Sequence, residues 1–266
     1  MKAVLLCAAM ALPSIAQPTA HDILAAARAA LGGSKVTAIQ SISVWGPDQR
    51  GGEAGEVALS MELTGKFLRE KTSLANGGQI TRMGMGEDGA GPVGGGMPGD
   101  DGGPALGLNV AEGLNGGDYW VKSAAGSAIN SNTPEAAAAA RKRAFVESFA
   151  RYAIAFTLAP PVNFPVAFTY AGQVEAPGGM ADAIEGKGPN GFLIHLFIDA
   201  KTHIPLMMNY LNGPQDVQLW LKNYKAEDGI LLPHAMTWIT DGNPTEEFQA
   251  QRFKINPKFA AARFQK

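Results

Sequence analysis

Residues 191–211 read GFLIHLFIDAKTHIPLMMNYL, and residues 215–240 read QDVQLWLKNYKAEDGILLPHAMTWIT. Within both stretches apolar residues recur over strand-length runs, and only Asp, Gly, Asn and Pro turns separate one run from the next. Working outward, the pattern extends over seven runs: 166–174, 179–187, 191–199, 204–211, 215–224, 230–240 and 245–255. No helix-length segment lies between them, which excludes a parallel sheet with helical crossovers. The spacing predicts a large meandering antiparallel sheet.

The N-terminus reads as an export signal. Lys2 supplies the positive charge, Ala3 to Leu12 an apolar stretch too short to span a bilayer, and Ser14-Ile15-Ala16 the small residues a signal peptidase inspects. Cleavage is expected before Gln17, leaving 17–266 as one exported domain. Cys7 lies inside the apolar stretch, so the mature chain has no cysteine for disulfides, thiol catalysis or thiolate metal sites. Losing Lys2 takes the formal charge from −2 to −3. Such a chain has no electrostatic footprint for nucleic acid, and no stretch after residue 16 is apolar enough for a stable membrane span. The chain is expected to be a monomer.

In the first half, Thr19 is placed to cap a helix over 20–31 whose stripe is Ile23, Leu24, Ala27 and Leu31, ended by Gly32-Gly33. Strands are expected at 35–45, 54–64, 66–74 and near 79–86. From Gly84 to Gly117 glycine dominates, interrupted by Pro92, Pro98 and Pro104, which predicts a long flexible loop. Gly84-Met85-Gly86-Glu87-Asp88-Gly89 matches a dinucleotide fingerprint literally, but more glycine follows where that fold requires a helix. Thr133, Pro134 and Glu135 then open a long helix that runs to Leu158, before Pro160-Pro161. Its second half is apolar nearly all round. That suits a helix seated against or inside a concave sheet, and equally a plain core helix.

Candidate chemistry is sparse. There is no G-x-S-x-G elbow, no H-E-x-x-H and no Walker loop, and the four histidines do not suggest a shared ligand set. His195 is expected to pair near Met208, about 15 Å from His203 at the hairpin turn. Asp199 and Thr202 read as turn-closing residues. No cofactor or metal is expected, and no catalytic residue is assigned.

Phe197-Ile198-Asp199-Ala200-Lys201-Thr202-His203-Ile204-Pro205-Leu206 is followed by Trp220-Leu221-Lys222-Asn223-Tyr224. Asp228-Gly229-Ile230-Leu231-Leu232-Pro233-His234 and a closing Lys254-Ile255-Asn256-Pro257 come after. This succession resembles the outer-membrane lipoprotein-sorting family, the LolA/LolB-like group of periplasmic proteins, over residues 20–75 and 165–258. The resemblance implies an unclosed β half-barrel of about eleven antiparallel strands, mainly β with a few helices on its concave apolar face. It also implies a cavity that accepts lipid or the acyl chains of an acylated lipoprotein. The glycine-rich stretch has no counterpart there, and the chain lacks the lipid-anchored cysteine of the membrane-bound type.

On this footing the expected trough lies between the sheet and residues 145–158. Phe149, Tyr152 and Phe156 share a helix face, and Leu59 and Met61 share strand parity. Met208 and Trp220 are added on hydrophobicity alone. Arg69 is placed at the rim, either holding a helix or loop closed through backbone carbonyls or simply pairing with a carboxylate. Two other roles stay open: an envelope scaffold or sensor binding a protein partner, and a periplasmic enzyme.

Overall fold

The computed structural model describes residues 17–73, 110–123 and 134–266. The export signal, the strand near 79–86, the loop over 84–109 and the Thr133 cap lie outside the described residues. Helix α1 (Ala20–Leu31) forms as its sequence demands. Thr19 and Asp22 make a reciprocal capping box, and Ala20, Ile23, Leu24, Ala27 and Leu31 are buried. A short helical turn, α2 (Ser34–Thr37), stands where a strand was expected to begin, and β1 starts only at Ser41. Val36 is the one buried residue of that turn, so no alternation exists there to place on a sheet face.

The strands are β1 (Ser41–Arg50), β2 (Glu53–Glu62), β3 (Lys66–Ser73), β4 (Val110–Asn115) and β5 (Asp118–Ser123). After α3 (Glu135–Thr157) follow β6 (Ala167–Ala176), β7 (Gly179–Lys187), β8 (Leu193–Asp199), β9 (Pro205–Asn212) and β10 (Gln215–Glu227). The last are β11 (Ile230–Thr240), β12 (Asn243–Gln249) and β13 (Arg252–Ile255). All thirteen belong to one sheet, in the order β5-β4-β3-β2-β1-β12-β11-β10-β9-β8-β7-β6, with β13 also on β1. Every pairing is antiparallel. The architecture is the expected unclosed antiparallel sheet with helices.

Two strand assignments differ from expectation. The end of the glycine-rich stretch, Val110–Asn115, is a strand and not loop, because Ala111 on one face and Leu114 on the other are both buried. The run over 245–255 is two strands. The chain steps inward at Ala250, whose N–H bonds His234 O at 2.8 Å, while Gln251 N–H bonds Trp45 O at 2.9 Å. Gly46 makes that step possible, since a Cβ there would sit 1.9 Å from Gln249 O.

Laid flat, twelve strands at about 4.8 Å spacing would stretch on the order of 50 Å. Yet Phe67 and Leu114 from one side and Ile184 and Leu196 from the other belong to a single buried cluster with α1 and α3. The sheet therefore curls around its helices, and the helix-bearing face is the concave one. Cross-strand registers carry that face continuously: Ile42 opposite Met61, Met61 opposite Phe67, Phe67 opposite Leu114. On the other side, Leu219 lies opposite Met208 and Met208 opposite Leu196.

On the convex face the C-terminal tail closes over β2 to β5. Phe264 is buried with Leu68 and Ala111, and Phe259 and Trp120 pack beside it. Trp120 Nε1 donates to Phe264 O at 2.9 Å, and the Arg263 guanidinium meets Glu70 at 2.5 Å. The Trp120 ring occupies the space above Gly113, where a Cβ would come within 2.2 Å of it. Gly113→Ala should therefore lift the ring off the sheet and loosen the tail, costing about 1–3 kcal/mol in urea unfolding. An unchanged midpoint would show that this slot does not hold the tail.

Candidate functional site

The concave face is filled by α3. Every residue from Phe149 to Leu158 is buried, as is Phe145. Phe67 of β3 receives the helix as a platform: its ring stacks on Phe145 at 4.9 Å and on Phe149 at 5.1 Å, with Tyr152 at 5.9 Å. Tyr152 continues the ladder to Phe156 at 6.3 Å and meets Trp238 of β11 edge-on at 6.1 Å. Offset stacks and edge contacts of this kind add roughly 0.5–1.5 kcal/mol per pair beyond area burial. A void lined by Ser148, Arg151, Tyr152, Tyr210, Leu219 and Trp238 measures about 20 Å³, room for one water. The trough is closed on the helix.

The helix is gripped at its C-terminal end. Leu158 adopts the left-handed conformation (φ 56°) that stops the helix, and its carbonyl accepts a 2.6 Å bond from the Arg28 guanidinium of α1. Just beyond, Val162 N–H bonds Leu63 O at 2.8 Å, tying the exit of α3 to the β2–β3 turn. Midway, the Arg151 guanidinium lies 4.0 Å above the Tyr210 ring and bonds Glu147 at 3.1 Å. Ahead of Phe145, α3 has no comparable hold among the described residues: 138–144 are exposed.

Toward β4 and β5 the same face turns polar. Asp48 of β1 pairs with Lys71 of β3 at 2.6 Å, Arg50 with Glu246 of β12 at 3.4 Å, and Arg69 of β3 with Glu112 of β4. The Tyr119 hydroxyl donates to Glu112 at 3.0 Å. Burial and the Glu112 carboxylate together push the Tyr119 phenol well above its ordinary range. Burial likewise raises the Glu246 carboxyl above the usual carboxylate value. Asp48 adds to the rise, and the pull of Arg50 does not offset it.

Of the residues expected to line the trough, Leu59, Met61, Phe149, Tyr152, Phe156 and Met208 meet in one buried cluster. Trp220 does not join them. Leu219 and Leu221 take the concave side, so Trp220 stands on the convex face, its Nε1 on Gln218 at 3.1 Å and Lys222 over its ring. Hydrophobicity could not separate the two faces of β10. Arg69 is on the concave side but binds the Glu112 carboxylate, its guanidinium 5.6 Å above the Phe145 ring. The carbonyl-holding role imagined for it belongs to Arg28. A charged residue four positions after Leu24, on the flank of the apolar stripe of α1, was the signal that could have found it.

His195 lies opposite Asn209, next to Met208 as expected, with Glu185 3.7 Å away, and His203 sits in the turn with φ 58°. His234 is buried between Ala250 O at 2.9 Å and Glu227 at 3.1 Å, a structural arrangement. Among the described residues no three His, Cys, Asp or Glu side chains converge as metal ligands. Among them, too, no helix is long and apolar enough to cross a membrane.

No family model matches the chain, and no curated protein matches it. Among solved structures it is similar to a LolA superfamily protein from Nitrosomonas europaea, with a TM-score of 0.53 and 10% identity over 94% of this chain and 99% of that one. An outer-membrane lipoprotein-sorting protein domain from Vibrio parahaemolyticus gives 0.48 and 11% identity, over 91% of this chain and 94% of that one. A DUF1329 family protein from Desulfovibrio piger gives 0.47 and 13%, over 91% and 95%. The Nitrosomonas likeness establishes a shared fold, which is the level at which the turn motifs of the sequence resemble this group.

The Glu246 carboxyl supplies a pH test. Its folded-state proton affinity exceeds its unfolded one, so its contribution to stability is full below the unfolded value of 4.5 and is lost as pH rises through the folded value. Glu246→Gln should therefore stabilise the protein near neutrality and flatten the decline of the urea midpoint above pH 4.5. A variant less stable than wild type at neutral pH would show that the Arg50 pair outweighs burial.

Proposed function

We propose that the protein is a non-catalytic periplasmic carrier or binding protein for the acyl chains of lipids or lipoproteins, and that the second half of α3 is the guest an acyl chain replaces. The observation that carries this reading is the aromatic ladder. The apolar face of the sheet is covered by one helix that is tied down at its C-terminal end and exposed over its first half. Lifting Phe145, Phe149, Tyr152 and Phe156 off Phe67 would leave an apolar trough floored by Leu59, Met61 and Met208, with the Arg69–Glu112 pair along one side. Such a surface takes alkyl chains by area burial alone. The fold shared with the LolA superfamily structure supports the same reading.

A second reading has its own observation. On the convex face, Ala183, Phe197, Met207 and Trp220 form one cross-strand row, and the last three belong to neither buried apolar cluster. A filled trough with an apolar row on the opposite face suits a scaffold that binds a protein partner.

The two separate on one variant. If α3 competes with the ligand, apparent affinity is reduced by the fraction of molecules with the helix seated, and weakening its grip tightens binding. Arg28→Ala removes a charge-assisted bond of about 1.5–3 kcal/mol. It should lower the urea midpoint, yet tighten uptake of a fluorescent fatty acid roughly tenfold or more. Trp238, which meets Tyr152, should change its emission as the helix leaves. Failure of both proteins to bind the probe would end the carrier reading and leave the scaffold. Replacing Phe149 or Phe156 is a poorer test, since each is fully buried and truncation costs about 3–5 kcal/mol.

A further inference from the structure

The exposed half of α3 borders a groove of about 460 Å³, within the range of small-ligand sites. Its floor is apolar: Ala139, Ala140 and Val146 from the helix, and Phe164 from the chain that returns beyond it. Phe164 is itself buried and fixed edge-on against Phe192 at 5.0 Å, so this wall is rigid. Two cations, Lys142 and Arg143, line the same groove. Among the described residues neither has an ion-pair partner, and the one carboxylate lining the groove, Glu147, is taken by Arg151 at 3.1 Å. The protein as a whole is slightly acidic, so uncompensated positive charge beside an apolar floor is a local feature.

We propose that this groove binds a long-chain carboxylate, the anionic head against Lys142 and Arg143 and the alkyl chain along the alanine, valine and phenylalanine floor. The proposal rests on the acyl-chain reading and names the ligand class for it. A neutral alkyl chain would leave the two cations without a counter-charge, and a small hydrophilic anion would leave the floor wet. An amphiphile satisfies both. The groove also adjoins the trough. Val146 and Glu147 line the one, and Ser148, Arg151 and Tyr152 line the void at the start of the other.

The test compares parinaric acid with its methyl ester, which keeps the chain and removes the charge, on wild type and on Lys142→Glu/Arg143→Glu. Both positions are exposed, so the variant keeps its fold, checked by circular dichroism. The acid should bind wild type about 5–10-fold tighter than the ester, as two solvent-exposed ion pairs allow, and the advantage should shrink with salt. In the double variant the preference should vanish while ester binding stays the same. Equal binding of acid and ester by wild type, or a preference that survives the double variant, overturns the groove and leaves the carrier reading standing. Binding of neither ligand overturns both. A charge preference that the double variant removes, together with acid binding that Arg28→Ala does not tighten, upholds the groove and overturns the displacement of α3.

Discussion

The fold turns on one topological constraint: among the described residues the sheet ends at β5 on one side and β6 on the other, and these two are successive strands along the chain. The first meander ends at one rim and the second begins at the other, because β1 joins β12 in the middle. The helix α3, which lies between them in the chain, therefore crosses one face of the sheet from rim toward rim. At about 1.5 Å per residue, the 23 residues of α3 cover roughly 35 Å of that path. A helix crossing the mouth of a curled sheet is buried against it on one side and by α1 on the other. This is why Phe149 to Leu158 are apolar almost all round, and why the face beneath them can be apolar from β2 to β9.

What fixes the helix is unequal along its length. The C-terminal end is held by a guanidinium on a helix-terminal carbonyl, where the macrodipole adds to the attraction. The middle is held by aromatic stacking on Phe67 and by Arg151 on Tyr210. The outer end is alanine and basic residues facing solvent. Affinity for the sheet thus rises steadily from residue 138 to residue 158, a gradient that permits fraying from one end without loss of the whole element.

Much of this was legible in the chain. The alternation over 166–240 gave the second meander nearly strand for strand, and the capping signals placed α1 to the residue. The strand β4 was hidden because Gly113 and its short side chains carry almost no alternation, and the convex side of its burial is completed by Phe264, far off in sequence. Six trough residues could be grouped from helical spacing, strand parity and hydrophobicity. Trp220 could not be assigned a face, since only pairing with Met207 and Thr237 fixes its side. Arg28 was only half legible: its place on the flank of the α1 stripe marks it, but its partner is a backbone carbonyl 130 positions away.

The position of β1 carries a kinetic consequence. It is the first strand to be made, yet its outer neighbours, β12 and β13, are nearly the last, so Asp48 meets Phe248 and Ile42 meets Ile255 only when synthesis is almost finished. Loop closure over some two hundred residues makes such pairings slow, and until they form each meander presents an unpaired edge strand. A chain wired in this way cannot complete its sheet while its C-terminus is still being synthesised. Its two meanders wait as separate halves until the last strands arrive to join them.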